Sequence, residues 1–366
     1  MKFICVQKNL SSVLNLVSHL AGENKNNLPI LNNLLLEAKK GFLEISATNL
    51  EIAFKAKVRA KIEKQGKITI PAQILTNYIN SLKDENLTFE LKESNMYIWG
   101  ENSQAKIITT PTEDFPIIPQ IESGKKYKIK SDILKQNLEK IIFSISPLEN
   151  RIEISGGLFI FNSPEEGKLT LVGTDSYRLA ENIVPLISSE KNILKVIVPY
   201  KTLSEVLKIT DEEDIDIIVS ENQISFVNSY LEIISRIISA EFPDYKEIIP
   251  NKFKTKIILK RNDILNALKS VSCFSEKNIN DIHFEVKKDK LKFFSSSNIG
   301  ESYSELNADI EGIPNKIVFN SKYLMDFLTA NKEEEIIMEI IDENCPAVFR
   351  LKDKLNYLYL LMPIKG

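Results

Sequence analysis

The sequence predicts an α+β fold made of three copies of one domain, each with two helices and many short strands. Three observations predict it. At 366 residues the chain exceeds one ordinary domain, since domains run to roughly 100–200 residues. Three separate patterns recur together with a period near one third of the chain. In each recurrence, alternating apolar and polar residues outweigh the helical stretches. A hydrophobic fraction of 43% and a charged fraction of 27% exclude wholesale disorder.

Each copy opens with a strand that runs into an amphipathic helix. Leu10, Val13, Leu14 and Val17 stand at i, i+3, i+4 and i+7. Leu134, Leu138 and Ile141 stand at i, i+4 and i+7, as do Ile264, Leu268 and Val271. That is the apolar stripe of a helix lying on a core. The second pattern is an alternating strand ending in a polar turn. Residues 41–45 lead to Thr48-Asn49, 167–171 to Thr174-Asp175, and 290–293 to Ser296-Ser297-Asn298. The third joins a short apolar strand to a helix start, in 67–75, 195–203 and 316–324, spaced by 128 and 121 residues. Pro71, Pro199 and Asn320 sit at those junctions, residue types that suit a helix N-terminus. The period is too long for a solenoid repeat and is domain-sized. The predicted domains are 1–121, 122–250 and 251–366, with linkers near 119–126 and 250–254. Two helices of about 12 residues, roughly 18 Å each, cover one face of a sheet system and leave their other faces to something polar.

The formal charge of −3 argues against nucleic-acid affinity built on a large basic excess. The helix windows 8–20, 71–83, 131–143, 199–210, 260–272 and 320–332 nevertheless carry +6 together, leaving −9 elsewhere. Two explanations stand: lysine as a good solvated helix residue, or a weakly positive helical surface that touches phosphates without reading bases. Cys5, Cys273 and Cys345 are odd in number and far apart, which fits a reducing compartment. The start is too short for a signal peptide. The longest apolar stretch, 357–364, is far below the about 20 residues that span a bilayer. A cytoplasmic protein is expected, with the Asn9 and Asn86 sequons as chance matches.

Catalytic motifs are missing. His19 and His283 are far apart. Asp281, His283 and Glu285 share one face of a strand, better read as a wet face than as a metal site. No Cys/His cluster has zinc spacing, and neither a phosphate-binding Gly-rich loop nor a GxSxG elbow occurs. The acidic runs 211–214 and 333–335 fall after helices and are expected to be solvated turns. Nothing joins nucleophile, base and electrophile. No enzyme, metal or cofactor is expected.

Four segments carry a family likeness: Leu28 to Leu36 (LPILNNLLL), Gly173 to Ala180 (GTDSYRLA), Glu241 to Tyr245 (EFPDY) and Tyr357 to Gly366 (YLYLLMPIKG). With them the whole chain strongly resembles the bacterial DNA polymerase III β-subunit family, the sliding clamps. The resemblance implies a head-to-tail homodimer whose six domains close a ring. Helices line the hole around double-stranded DNA, and sheets form the wall. It implies retention by topology, with sequence-blind phosphate contacts, and loading by an ATP-driven clamp loader. The implied partners are the DNA polymerase III catalytic subunit, other polymerases, ligase and mismatch-repair proteins, bound through short linear motifs.

The resemblance also implies a motif pocket between the second and third domains. It places Thr174, Asp175, Ser176, Tyr177, Arg178 and Leu179 there, with Pro243 in its wall, Ile248 a turn further on and Ile154 at its floor. Leu360, Met362, Pro363 and Ile364 come from the tail, and Pro346 borders the site. Met362, Leu179, Ile248 and Leu360 offer an adaptable apolar cavity for Leu or Phe anchors; Arg178 and Tyr177 are expected to orient the ligand by hydrogen bonds. Ser176 stands where the family usually has Gly, which is expected to narrow the cleft or alter the turn. Lys365 and Gly366 replace a more usual Arg and a bulkier last residue. On the DNA side, Lys25 and Arg151 match basic loop residues of the family. Lys201, Lys208, Lys260, Arg261 and Lys269 supply the helical cations. Ile152 and Glu153 depart from an aromatic pair, and Glu153 is expected to repel phosphate. The seam maps to Ala105, Ile107 and Ile108 of a first-domain edge strand against Cys273 and Phe274 at a third-domain helix end. A protein-only scaffold that has lost DNA encirclement is the alternative, favoured by the near-neutral 131–143 helix and Glu153.

Overall fold

A computed structural model describes residues 1–22, 28–83, 85–121, 123–146, 150–209 and 213–365. Its six helices are α1 (Gln7–Val17), α2 (Ala72–Ser81), α3 (Ser131–Ile142), α4 (Tyr200–Val206), α5 (Arg261–Val271) and α6 (Ser321–Ala330). Each is entered directly from a strand. Strands Lys2–Val6, Lys125–Lys130 and Thr255–Lys260 feed α1, α3 and α5; strands Gly66–Pro71, Leu194–Pro199 and Asn315–Asn320 feed α2, α4 and α6. The two predicted junction patterns are therefore one device used six times.

The stripes bury as their spacing requires. Leu10, Leu14 and Val17 of α1, Leu134, Leu138 and Ile141 of α3, and Ile264, Leu268 and Val271 of α5 are all at most 1% exposed. Each such side chain contributes about 1.5–3 kcal/mol. Of the three junction residues only Asn320 caps with its side chain, accepting from the backbone N–H groups of Lys322 and Tyr323. Helix α4 stops at Val206, short of the predicted window, although the Leu207 N–H still donates to the Leu203 carbonyl.

The described residues form two units. The first comprises 1–129 and 208–237. It holds a five-stranded sheet, with Lys61–Lys64 at one edge and Gln104–Ile108 at the other, and an eight-stranded sheet in which Leu231–Arg236 pairs with Ile52–Arg59. The second comprises 130–207 and 238–366. It holds a nine-stranded sheet, in which Arg178–Pro185 pairs with Lys354–Leu361, and a four-stranded sheet edged by Gly300–Asn307 and Asn315–Asn320. In both units, strands more than a hundred residues apart share one antiparallel sheet.

Helix α3 lies close on the second unit's nine-stranded sheet, and Gly173 permits the approach. A Cβ there would stand 2.6 Å from the Ile141 carbonyl oxygen. Phe327 of α6 stacks on Tyr359 with ring centroids 4.8 Å apart, helping to fill the core beneath the last strand.

Candidate functional site

The site is built on the turn between strands Lys168–Thr174 and Arg178–Pro185. Thr174 Oγ1 donates to the Arg178 carbonyl at 2.7 Å and accepts from the Ser176 N–H at 3.2 Å. Asp175 Oδ1 accepts from the Tyr177 and Arg178 N–H groups at 3.0 Å each. Short polar side chains thus satisfy the turn's donors. Ser176 sits at φ +80°. That is the left-handed region where Gly has no Cβ penalty, so Ser176 places a hydroxyl at a strained position.

Below the turn, Leu179 and Leu360 are cross-strand partners, each 1% exposed. Leu158, Val172, Tyr245 and Val348 belong to the same buried cluster, and Phe242, Ile249 and Phe253 are among the residues packed against it. The segment carrying Pro243 and Ile248 is pinned by Glu181. That buried carboxylate accepts from the Tyr245 hydroxyl and, at 2.6 Å, from Lys246 Nζ. Burial and the neighbouring carboxylate push the Tyr245 hydroxyl's pKa up, so it remains a donor. The tail is held in turn: the Met362 N–H donates to the Tyr177 carbonyl at 2.9 Å, and the Ile364 N–H to the Val318 carbonyl at 2.8 Å.

The structure therefore brings together Thr174, Ser176, Tyr177, Arg178, Leu179, Leu360 and Met362, with Tyr245 carrying the Pro243 and Ile248 segment onto the same cluster. Leu179 and Leu360 are buried, whereas Pro243, Ile248, Tyr177 and Met362 are exposed. Ile154 is fully buried. Pro346 and Pro363 are half-buried beside the paired residues Ala347 and Leu361. Ile364 is carried onward to strand Asn315–Asn320.

Several side chains differ from their expected roles. Arg178 is already engaged. Its Nε donates to Asp175 at 2.8 Å and its Nη1 to Asp326 at 2.6 Å, and its guanidinium lies 4.3 Å from the Tyr323 ring centroid. It braces the turn against α6. Sequence gave no sign of Asp326 or Tyr323, because only folding closes a gap of 148 residues. Arg151 is held by Glu153 at 3.0 Å and by Ser176 Oγ at 2.6 Å. Glu153 is thus a partner of Arg151, neutralised beside it, not a bare repulsive charge. Arg261 donates to the Leu328 carbonyl in the last turn of α6 and serves that helix end.

Lys201, Lys208, Lys260 and Lys269 are exposed on or beside their helices, and Lys208 Nζ lies 3.1 Å from His19 Nε2. His19 falls in the turn after α1, not on it. Lys25 lies outside the described residues, as do Asp211 and Glu212. Glu333 is not merely a solvated turn residue: Lys140 and Lys354 reach it at 2.8 and 2.6 Å. Among the described residues no cluster of His, Cys, Asp and Glu has metal-holding geometry; His283 faces Asp281 at 3.4 Å on an exposed strand face.

At the predicted seam, Gln104–Ile108 is an edge strand. Ile107 is buried in its own sheet and Ile108 is 73% exposed. Ala105 and Phe274 are half-buried, and Cys273 is exposed. A second edge went unread in the sequence. Strand Gly300–Asn307 carries Tyr303 at 73% exposure, and Ile299 precedes it at 71%.

Comparison with known proteins supplies the class. The N-terminal, central and C-terminal domain models of the DNA polymerase III beta subunit match residues 1–119, 128–244 and 246–365. The chain is 27% identical to the beta sliding clamp of Rickettsia felis over 385 aligned residues, spanning 100% of both. It matches the crystal structure of the DNA polymerase III beta subunit from Thermotoga maritima with a TM-score of 0.92 at 29% identity, covering 100% of this chain and 99% of that one. The DNA polymerase sliding clamp from Bacillus subtilis shares the fold, with a TM-score of 0.94 at 24% identity and the same coverage. The class is that of sliding clamps, processivity factors without enzymatic chemistry of their own. The chain belongs to the DNA polymerase III beta-subunit family. No described helix is long and apolar enough to cross a membrane.

Proposed function

We propose that two copies of this chain, each with clamp domains 1–121, 122–250 and 251–366, close head to tail around duplex DNA and slide on it. The pocket at the 174–178 turn tethers the replicative polymerase, the clamp loader and repair proteins through short motifs. The observation that carries the pocket is that the cluster of Leu179, Leu360 and Tyr245 is flanked in sequence by the exposed residues Tyr177, Pro243, Ile248 and Met362, with the Met362 N–H bonded to the Tyr177 carbonyl. Exposed apolar groups beside a preformed cluster take Leu or Phe anchors at little reorganisation cost. Two edge strands with unpaired backbone groups, Gln104–Ile108 and Gly300–Asn307, support closure by strand-to-strand addition. Lys201, Lys208, Lys260 and Lys269 supply diffuse phosphate contacts.

The test is topological. The protein is loaded on a nicked circular plasmid with a matching clamp loader and ATP, and the circle is then cut once. Retention on the circle and loss on linearisation support encirclement. Retention on both means ordinary DNA affinity and refutes it. Absence from both, with dimer and peptide binding intact and a known clamp loading in parallel, favours the protein-only scaffold. The internal pairing of Arg151 and Arg261 speaks for that second reading.

A further inference from the structure

Arg151 is the least expected feature of the pocket turn. Its Nε and Nη2 both lie 3.0 Å from Glu153 Oε1, and its Nη1 lies 2.6 Å from Ser176 Oγ. All three guanidinium nitrogens are therefore engaged by this chain's own residues, although the side chain is 49% exposed. Both partners are specific to the local geometry. Glu153 lies in the short 3-10 turn Ile152–Ile154, and Ser176 reaches Arg151 from a left-handed backbone position that only a residue with a side chain can use for this contact. Ser176 is also the residue before Tyr177, whose carbonyl holds Met362 of the tail. The closed fork thus sits beside the pocket.

We infer that Glu153 and Ser176 set the ligand selectivity of this pocket. By closing Arg151 they make it take apolar-anchored segments that are neutral, not acidic, beside the 174–178 turn. The inference rests on the pocket proposed above. A carboxylate on the ligand meets a guanidinium already paired with Glu153. It must either displace Glu153 or share the remaining N–H donors beside it, so the gain is offset by a lost pair or by two carboxylates lying close together. Glu153 and Ser176 act through Arg151 and are positioning residues.

The test uses the full-length chain and labelled peptides read by fluorescence anisotropy. One peptide is neutral with Leu and Phe anchors; the others carry a single Glu at each non-anchor position in turn. In the wild type no Glu peptide is expected to outbind the neutral one. In Glu153→Gln at least one is expected to gain about fivefold relative to the neutral peptide, as suits an exposed charge pair. The gain should vanish in Glu153→Gln with Arg151→Gln, and Ser176→Ala should show part of it. A purely structural role for Glu153 would shift all peptides alike. Unchanged ratios in Glu153→Gln, or a gain that survives loss of Arg151, would overturn the inference while leaving the pocket standing. Binding of no peptide by wild type with a normal melting curve would overturn the pocket and the selectivity together.

Discussion

Replacing Glu333 by Gln should destabilise the second unit at neutral pH and cease to matter in acid. Glu333 takes Lys140 at 2.8 Å and Lys354 at 2.6 Å, and the Glu333 and Lys140 side chains are only 16% and 9% exposed. Burial alone would raise this carboxyl; the two lysines and its own backbone N–H overcome that and bring it from 4.5 to about 2. Lys140 is lowered as well, which works against its charged form, because burial and the neighbouring Lys354 outweigh the lift from Glu333. The carboxyl, on which two cations converge, is the better measure of the linkage, and the cost at Lys140 makes it an upper bound. A carboxyl depressed by folding stabilises above its unfolded pKa and loses that contribution as pH falls through its folded pKa. The window therefore runs from about pH 4.5 down to about pH 2. At about 1.4 kcal/mol per tenfold change in proton affinity, the contribution is about 3 kcal/mol at pH 7. Glu333→Gln removes it and leaves Lys140 buried without a counter-charge. Urea unfolding followed by circular dichroism at pH 7, 5, 4, 3 and 2 should show a gap of at most about 3 kcal/mol between variant and wild type that closes towards pH 2. A gap of equal size at pH 7 and pH 2, or none at pH 7, refutes the coupling.

Three further outcomes are expected. Gly173→Ala places a methyl 2.6 Å from the Ile141 carbonyl and should cost about 1–3 kcal/mol; an unchanged melting temperature would mean that α3 lies further from its sheet. Met362→Ala should weaken motif-peptide binding about three- to tenfold with the dimer intact by sedimentation, and unchanged affinity would remove Met362 from the pocket. Ile108→Asp, at a residue 73% exposed on an edge strand, should raise the dimer dissociation constant at least tenfold with little change in monomer stability, and an unaffected dimer would place the seam elsewhere.

Where a feature depends on neighbours in the chain, the sequence was legible. The stripes of α1, α3 and α5 buried as spaced, because a 3.6-residue period projects one face whatever lies opposite. The turn at Thr174 to Arg178 could also be located, since Thr and Asp satisfy a turn's donors from within it. The apolar pocket residues were reachable only through family likeness: Leu179 and Leu360 look like any two strand leucines until register pairs them.

Charge was the least legible property. The sequence offers Arg151 and Arg261 as DNA-facing cations, Arg178 as a ligand donor and Glu333 as a solvated acid, and each meets a partner inside the fold. Glu153 is two residues from Arg151, yet nothing in that spacing distinguishes a pair from two solvated side chains. Asp326, Leu328 and Lys140 meet their partners across 148, 67 and 193 residues. The sequence by itself determined the threefold repeat, the strand-to-helix units and the apolar faces, because backbone geometry and local periodicity set them. The tertiary structure alone decided which sheets share strands, which edges stay open and which charges remain free, because these depend on groups that only chain closure brings within a few ångströms.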